Sequence, residues 1–293
     1  MSAFPRALVT GLIDDAAVFP PARSSLVDAL AAHRIHRTGP YADLVGPLLL
    51  PPEMVEPAAQ LWPQTGAAEP LDLVVVSRPG GDLDALRAAA EQAAAETRLD
   101  LRGIELGWTA SWRDAGLTAP QIVLELPRGL EQALALTDAA TALAQAGPLD
   151  PRVVVKFRTG ETPQWPWPRE NELAEVLSAA VAMDVPLKLT GGLHHAVRGE
   201  HPVARAPGVT EPQHGFLNVL TAVAAAASGM PRPVLATWLA TRDAAPLVDA
   251  LTGLGPAAVT RARRVFTAYG CCAVSDPIAG LLALGLLHEE KTP

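Results

Sequence analysis

Apolar runs of strand length recur along this chain with alanine-rich, helix-like segments between them, and that alternation constrains the fold more than any other feature. Runs of Val, Leu and Ile with few polar interruptions suit strands covered on both faces, as in a parallel sheet whose crossovers are helices. The strand-like runs are Ala7 to Gly11, Leu44 to Leu50, Leu71 to Ser77, Leu101 to Gly107, Gln121 to Leu126, Arg152 to Arg158, Val185 to Thr190 and Val265 to Gly270. Helical patterns fall at Ser24 to His36, Pro52 to Leu61, Asp82 to Glu96, Leu130 to Ala146, Arg169 to Met183, Phe216 to Ser228 and Pro277 to Leu287. Thr109 to Leu117 has room for a short helix only, and two further pieces, Val234 to Thr241 and Ala245 to Leu251, precede the eighth strand. In a chain of 293 residues this reads as class α/β, a (β/α)8 TIM-type barrel forming one domain over 1–293 with extra helices before strand eight.

Composition narrows the partners. With 49% hydrophobic residues the chain can bury a large core. Its 31 acidic against 23 basic residues give a net charge of −8. No Lys/Arg run is present, so nucleic acid is not an expected partner. The stretch Met1 to Ala17 carries Asp14 and Asp15 and lacks the apolar core of a signal peptide, which points to a cytoplasmic protein. Phe216 to Met230, the most apolar segment, falls short of the roughly 20 residues of a membrane span and reads as a buried helix, so no membrane association is expected. Cys271 and Cys272 are adjacent, which fits neither a disulfide framework nor a C-x-x-C motif.

Alternate residues of a barrel strand point inward, so the polar members of each run can be sorted by face. Glu105 opposes Ile104 and Leu106; Glu125 opposes Leu124 and Leu126; Lys156 and Arg158 oppose Val155 and Phe157; Lys188 and Thr190 oppose Leu187 and Leu189. Four neighbouring strands thus each send a charge into the barrel near its C-terminal end, where this fold builds active sites. A salt-bridge network closing the barrel top is the purely structural alternative, although apolar residues serve stability as well.

The loops after the strands add further candidates. Thr190-Gly191-Gly192-Leu193-His194-His195, followed by Arg198, combines glycines that let a ligand approach the backbone with histidines suited to acid/base work. His214 and Asn218 share a face at the start of the long apolar helix, as an anion-binding pair or as a cap. Asp14 and Asp15 follow strand one and suit metal ligation, the role of a base, or the capping of a turn, while Ser77, Tyr269 and Cys271 stand at other strand ends. The Pro/Trp-rich stretch Thr162 to Pro168 reads as a loop, and a lid, over the sixth strand end.

GLIDDAAVFPP (11–21), KFRTG (156–160), TGGLHH (190–195) and HGFLN (214–218) together resemble the motifs of a family of bacterial proteins of unassigned function. Members of that family tend to carry Tyr where this chain has Asp15. A shorter resemblance is to deoxyribose-phosphate aldolase, in the order and spacing of Lys156 with Arg158-Thr159-Gly160 and Lys188 with Gly191-Gly192. That resemblance implies Lys156 as a Schiff-base nucleophile whose pKa Lys188 depresses.

The residues support lyase or isomerase chemistry on a small carbonyl compound bearing a phosphate or carboxylate. Lys156, Lys188, Glu105, Glu125, His194 and His195 would be catalytic, and Asp14, Arg158, Thr190, Gly191, Gly192, Arg198, His214 and Asn218 would bind substrate, with no cofactor. Two other classes stay open. One is a divalent-metal enzyme using Asp14, Glu105, Glu125 and His194 or His195; the other is a non-catalytic barrel that binds a small anion. Whether Lys156 is a nucleophile or a charged clamp depends on whether the cations or the glutamates dominate its surroundings.

Overall fold

A computed structural model describes residues 3–202 and 208–288, so the outer ends of the 1–293 range, and with them the start of the Met1 to Ala17 stretch, lie outside the described residues. Its core is a closed barrel of eight parallel strands. They are β1 (Ile13–Asp15), β2 (Val45–Leu50), β3 (Leu71–Val76), β4 (Leu99–Gly107), β5 (Gln121–Glu125), β6 (Arg152–Arg158), β7 (Leu187–Thr190) and, after a short antiparallel pair β8 (Gly199–Pro202) and β9 (Thr210–Gln213), β10 (Phe266–Cys271). The ring runs β1-β10-β7-β6-β5-β4-β3-β2, so the last strand closes on the first. This is the (β/α)8 arrangement expected from the alternating runs.

The outer layer comprises α1 (Leu26–Thr38), α2 (Val55–Leu61), α3 (Leu83–Ala95), α4 (Gln132–Gln145), α5 (Glu170–Ala182), α6 (Phe216–Ala227), α7 (Arg232–Ala240), α8 (Ala244–Thr252), α9 (Pro256–Val265) and α10 (Ser275–Ala283). Side chains placed by the sequence start three of them: Ser25 caps α1, Asp82 accepts from the Asp84 and Ala85 amides at α3, and Asp243 accepts from Ala245 at α8. Helix α6 is apolar nearly all round because α5, α7, α8 and α9 pack about it. Among the described residues no helix is long and apolar enough to cross a membrane.

Three features depart from the expected elements. The first strand is Ile13–Asp15, and the Ala7 to Gly11 run instead forms a 3-10 turn, Arg6–Leu8. Gly11 has φ +57°, a left-handed conformation that ends any extended run there. Its neighbours Leu8 and Val9 are buried in the core rather than paired in the sheet. Helix α9 is an element the sequence does not announce, since its arginines mask a one-sided apolar stripe of Val259, Ala262 and Val265. The β8–β9 pair likewise has no apolar alternation to mark it.

The shift of β1 places Asp14 within the sheet, between Gly270 of β10 and the irregular β1–β2 pairing. The β2 residue beside it must be glycine, because a Cβ on Gly46 would collide with Asp14 Oδ1. Gly46→Ala is expected to cost about 1–3 kcal/mol by forcing Asp14 aside, read as a lowered melting temperature.

Candidate active site

The inward positions of the barrel divide into two halves. On one side Ala16, Leu49, Val74 and Val76 form an apolar wall, with Phe19 and Cys272 packed against it. On the other side stand the charges, and sheet register sets their neighbours: Val76 beside Glu105, Glu125 beside Lys156, Lys156 beside Lys188, and Arg158 beside Thr190.

Glu105, Glu125, Lys156 and Lys188 converge, and Asp14 and Arg158 extend the group at either end. Asp14 Oδ2 accepts from Lys188 Nζ at 2.5 Å, and Lys188 also donates to Glu105 Oε1. Glu105 Oε2 accepts from Lys156 Nζ at 2.8 Å, and Lys156 lies 2.8 Å from Glu125 Oε2. Glu125 Oε1 in turn accepts from Arg158 Nε at 2.9 Å. The result is a row of six groups whose charges alternate from β1 through β7, β4, β6 and β5 back to β6. All are buried except Arg158, whose side chain is 32% exposed and faces the open end of the row.

This pairing fixes the protonation states. Burial alone would neutralise the Glu105 carboxyl, but the Lys156 and Lys188 ammonium groups overcome it and hold its pKa at about 2. Glu125 is lowered in the same way, burial being outweighed by Lys156 and Arg158. Burial pushes both lysines down, and their carboxylate partners more than restore them, so both pKa values lie above the ordinary lysine value. The glutamates therefore dominate Lys156, and the depressed amine implied by the aldolase resemblance is not its resting state. Asp14 is the exception: burial raises its carboxyl despite Lys188, so it is the most basic carboxylate of the row.

Thr190 and Gly191 stand beside Arg158 at the end of the row, and the other candidates lie apart from it. Asp15 points outward to His33 Nδ1 at 3.0 Å, tying β1 to α1. His214 donates from Nε2 to the Pro168 carbonyl at 2.8 Å and accepts at Nδ1 from Arg198 at 3.0 Å. Asn218 accepts from the Arg198 amide and donates to the Trp238 and Thr241 carbonyls. Together with the Arg198–Glu170 pair they clasp loop to helix, with the polar atoms of His214 and Asn218 engaged by protein partners. His195 stacks on His201 at 3.4 Å, and burial, with His201 beside it, lowers its pKa to about 4.

Gly191 and Gly192 both have positive φ, and Trp167 packs so closely on Gly192 that no Cβ fits there. The Thr162 to Pro168 loop thereby rests on the β7 loop, and Trp165 of the same loop reaches Gly129 and Arg128 after β5. His194 does not join the row; it meets Cys272, Cys271 and Asp276, two of which strand parity does not single out. A cavity of about 760 Å³ opens beside the apolar wall, lined by Phe19, Met54, Val76, Ser77 and Arg78 among others and by none of the six charged groups.

Among the described residues no three His, Cys, Asp or Glu side chains gather as a set that could hold a metal ion. The carboxylates named for that alternative are each engaged by a lysine or arginine. Comparison with protein-family models, with curated proteins and with solved structures returns no match.

The row sets a pH window for stability. A carboxyl whose pKa falls on folding stabilises the native state above its unfolded value and loses that contribution as pH falls through the folded one. For Glu105 the loss runs from 4.5 down to about 2. The lysine contributions are complete below 10.5 and fade only above it. Asp14, shifted the other way, offsets part of the acid loss. Glu105→Gln, which takes one of two carboxylate partners from each of two buried ammonium groups and leaves the row with an excess positive charge, is expected to cost about 3–5 kcal/mol at neutral pH. Denaturant titration from pH 3 to 7 checks both points, and the variant is expected to show a flatter acid limb than the parent.

Proposed function

We propose that the chain is an enzyme of small-molecule metabolism working at the C-terminal mouth of the barrel. Its substrate class is a carbonyl compound bearing a carboxylate or phosphate, and its chemistry is of the lyase or isomerase type through an enolate. The observation that carries this reading is the six-group row with only Arg158 open to the mouth. Buried ion pairs are poor stabilisers compared with apolar packing, so a row this long is better explained by a task at its open end.

Arg158 suits the anionic group of the substrate, since guanidinium keeps its charge and forms paired hydrogen bonds to planar anions. An anion that engages Arg158 competes with Glu125, and a Glu125 freed of one cation gains basicity. It then takes the proton α to the carbonyl, while the electron pair moves to the carbonyl oxygen and is stabilised by the Lys156 ammonium. Glu105 and Lys188 hold Lys156 charged and in place. Because Lys156 keeps its proton in this scheme, it acts as an electrostatic group rather than as an imine-forming amine.

Proton exchange tests the scheme whatever the final product, because it reads only the first step. The protein is incubated in deuterium oxide with a panel of small oxo acids and phosphorylated ketones, and loss of the α-proton is followed by NMR. Exchange is expected with at least one compound and is expected to fall about 100-fold or more in Glu125→Gln and Lys156→Met. Lys156→Arg is expected to retain part of it. A Lys156 adduct trapped by borohydride would replace this scheme with the imine reading, and tight binding without exchange would leave a non-catalytic anion-binding barrel.

A further inference from the structure

At the rim where β7 and β10 end, three side chains from three segments meet in a line. Cys272 Sγ lies 3.4 Å from His194 Nε2, and His194 Nδ1 lies 2.8 Å from Asp276 Oδ2. Burial lowers the His194 pKa, but its contacts with Cys271 and Cys272 outweigh burial and raise it to about 12, so the ring favours the imidazolium form, with the Nδ1 proton toward Asp276 and the Nε2 proton toward the Cys272 sulfur. Nucleophile, base and orienting acid in this order are the arrangement that activates a thiol for attack on an acyl carbon. Asp276 stands in the first turn of α10, whose N-terminal end favours negative charge beside it.

The neighbouring cysteine supplies an internal contrast. Cys271 donates to the Ala273 carbonyl at 3.3 Å, and burial pushes its thiol up, so its proton is held. Both sulfurs approach the His194 ring, Cys271 at 3.7 Å from Nδ1 and Cys272 at 3.4 Å from Nε2, and Cys272 also packs against the apolar wall of Ala16, Leu49, Val74 and Val76. Phe19 and Val76 belong both to that surface and to the lining of the 760 Å³ cavity, so the apolar wall beside the thiol is continuous with one side of that cavity, whose lining also carries Glu53, Ser77, Arg78 and Asp82.

We propose that Cys272, His194 and Asp276 form a thiol acyl-transfer centre, distinct from the charged row, for esters or thioesters of small apolar acids. The Cys272 sulfur, its proton held on His194 Nε2, attacks the acyl carbon with its electron pair. Collapse of the tetrahedral intermediate expels the alcohol or thiol, which takes that proton and leaves an acyl thioester on Cys272. Water then attacks the thioester, giving its proton to Nε2; the carboxylic acid departs with the C–S bond broken, and the proton stays on Nε2 beside the sulfur. The acyl chain lies on the apolar wall and extends toward the cavity. Besides Cys271 and Asp276, the ionisable group facing His194 is His195, whose charge His194 opposes.

The probes are p-nitrophenyl acetate, butyrate and hexanoate, with release of p-nitrophenolate followed by stopped flow and the site of acylation by mass spectrometry. A burst equal to the protein concentration is expected in the parent and in Cys271→Ser, with the acyl group on Cys272 and faster acylation by the longer chains. Cys272→Ser and Cys272→Ala are expected to lose the burst, each with an unchanged melting temperature. His194→Gln is expected to slow acylation about 100-fold at pH 7 and to move its pH profile toward that of a free thiol. A burst that persists without Cys272, acylation spread over other side chains, or a Cys272 that reacts at the same rate with and without His194 each overturns the proposal. So does stoichiometric zinc in the purified protein that is lost in Cys272→Ser, because the thiol would then be a metal ligand. Acylation is read separately from α-proton exchange, so failure of either leaves the other standing.

Discussion

The structure turns on Glu105, a carboxylate held between two ammonium groups in the centre of a barrel. Isolated in that position it would be expelled or protonated, because removing an ion from water costs several kcal/mol after relaxation. Lys156 and Lys188 keep it charged, and each of them needs a further carboxylate, Glu125 or Asp14, to be kept charged in turn. The pairs are thus mutually conditional, and removing one member strands its neighbours. This is why the barrel interior tolerates several buried ions where one would fail.

Backbone geometry enforces the same arrangement. Parallel pairing puts Lys156 beside Lys188 and Glu125 beside Lys156, and the like-charged lysine pair is relieved by Glu105 reaching across from β4 to both. Gly46 leaves the space that Asp14 occupies. The opposite wall of Ala16, Leu49, Val74 and Val76 offers no competing polar partner.

Much of this is legible in the sequence because buried strands keep a strict period of two. One polar residue among apolar neighbours fixes the phase of its whole strand, and that phase brings Glu105, Glu125, Lys156 and Lys188 to one place. The first strand is not legible in the same way, because Ala7 to Val9 is as apolar as a strand and only the left-handed Gly11 reveals the turn. Charge balance is hidden too: parity shows that two acids and three bases face inward, but only distances show that each lysine has two acidic partners. His214 and Asn218 share a helix face as expected, yet backbone carbonyls and Arg198 absorb their hydrogen bonds. Cys272, His194 and Asp276 escape a sequence reading because the thiol and the carboxylate stand 78 and 82 positions from the histidine, on loops that no periodicity relates.

Closure of the barrel by its last strand has a consequence for how the chain is made. Asp14 leaves the ribosome 174 residues before its partner Lys188, and β10, which seals the ring against β1, comes later still. Until then the nascent sheet is an open, curved ribbon with both edges unsatisfied. Its carboxylates and ammonium groups stay hydrated, since no dry interior yet exists to penalise or reward them. Translation of β10 therefore does more than add a strand: it expels the remaining water, and only at that moment do the charges become dependent on one another. Both edges of that ribbon are open to pairing with another chain until β10 is made, so the circular topology concentrates its aggregation hazard in the interval before closure.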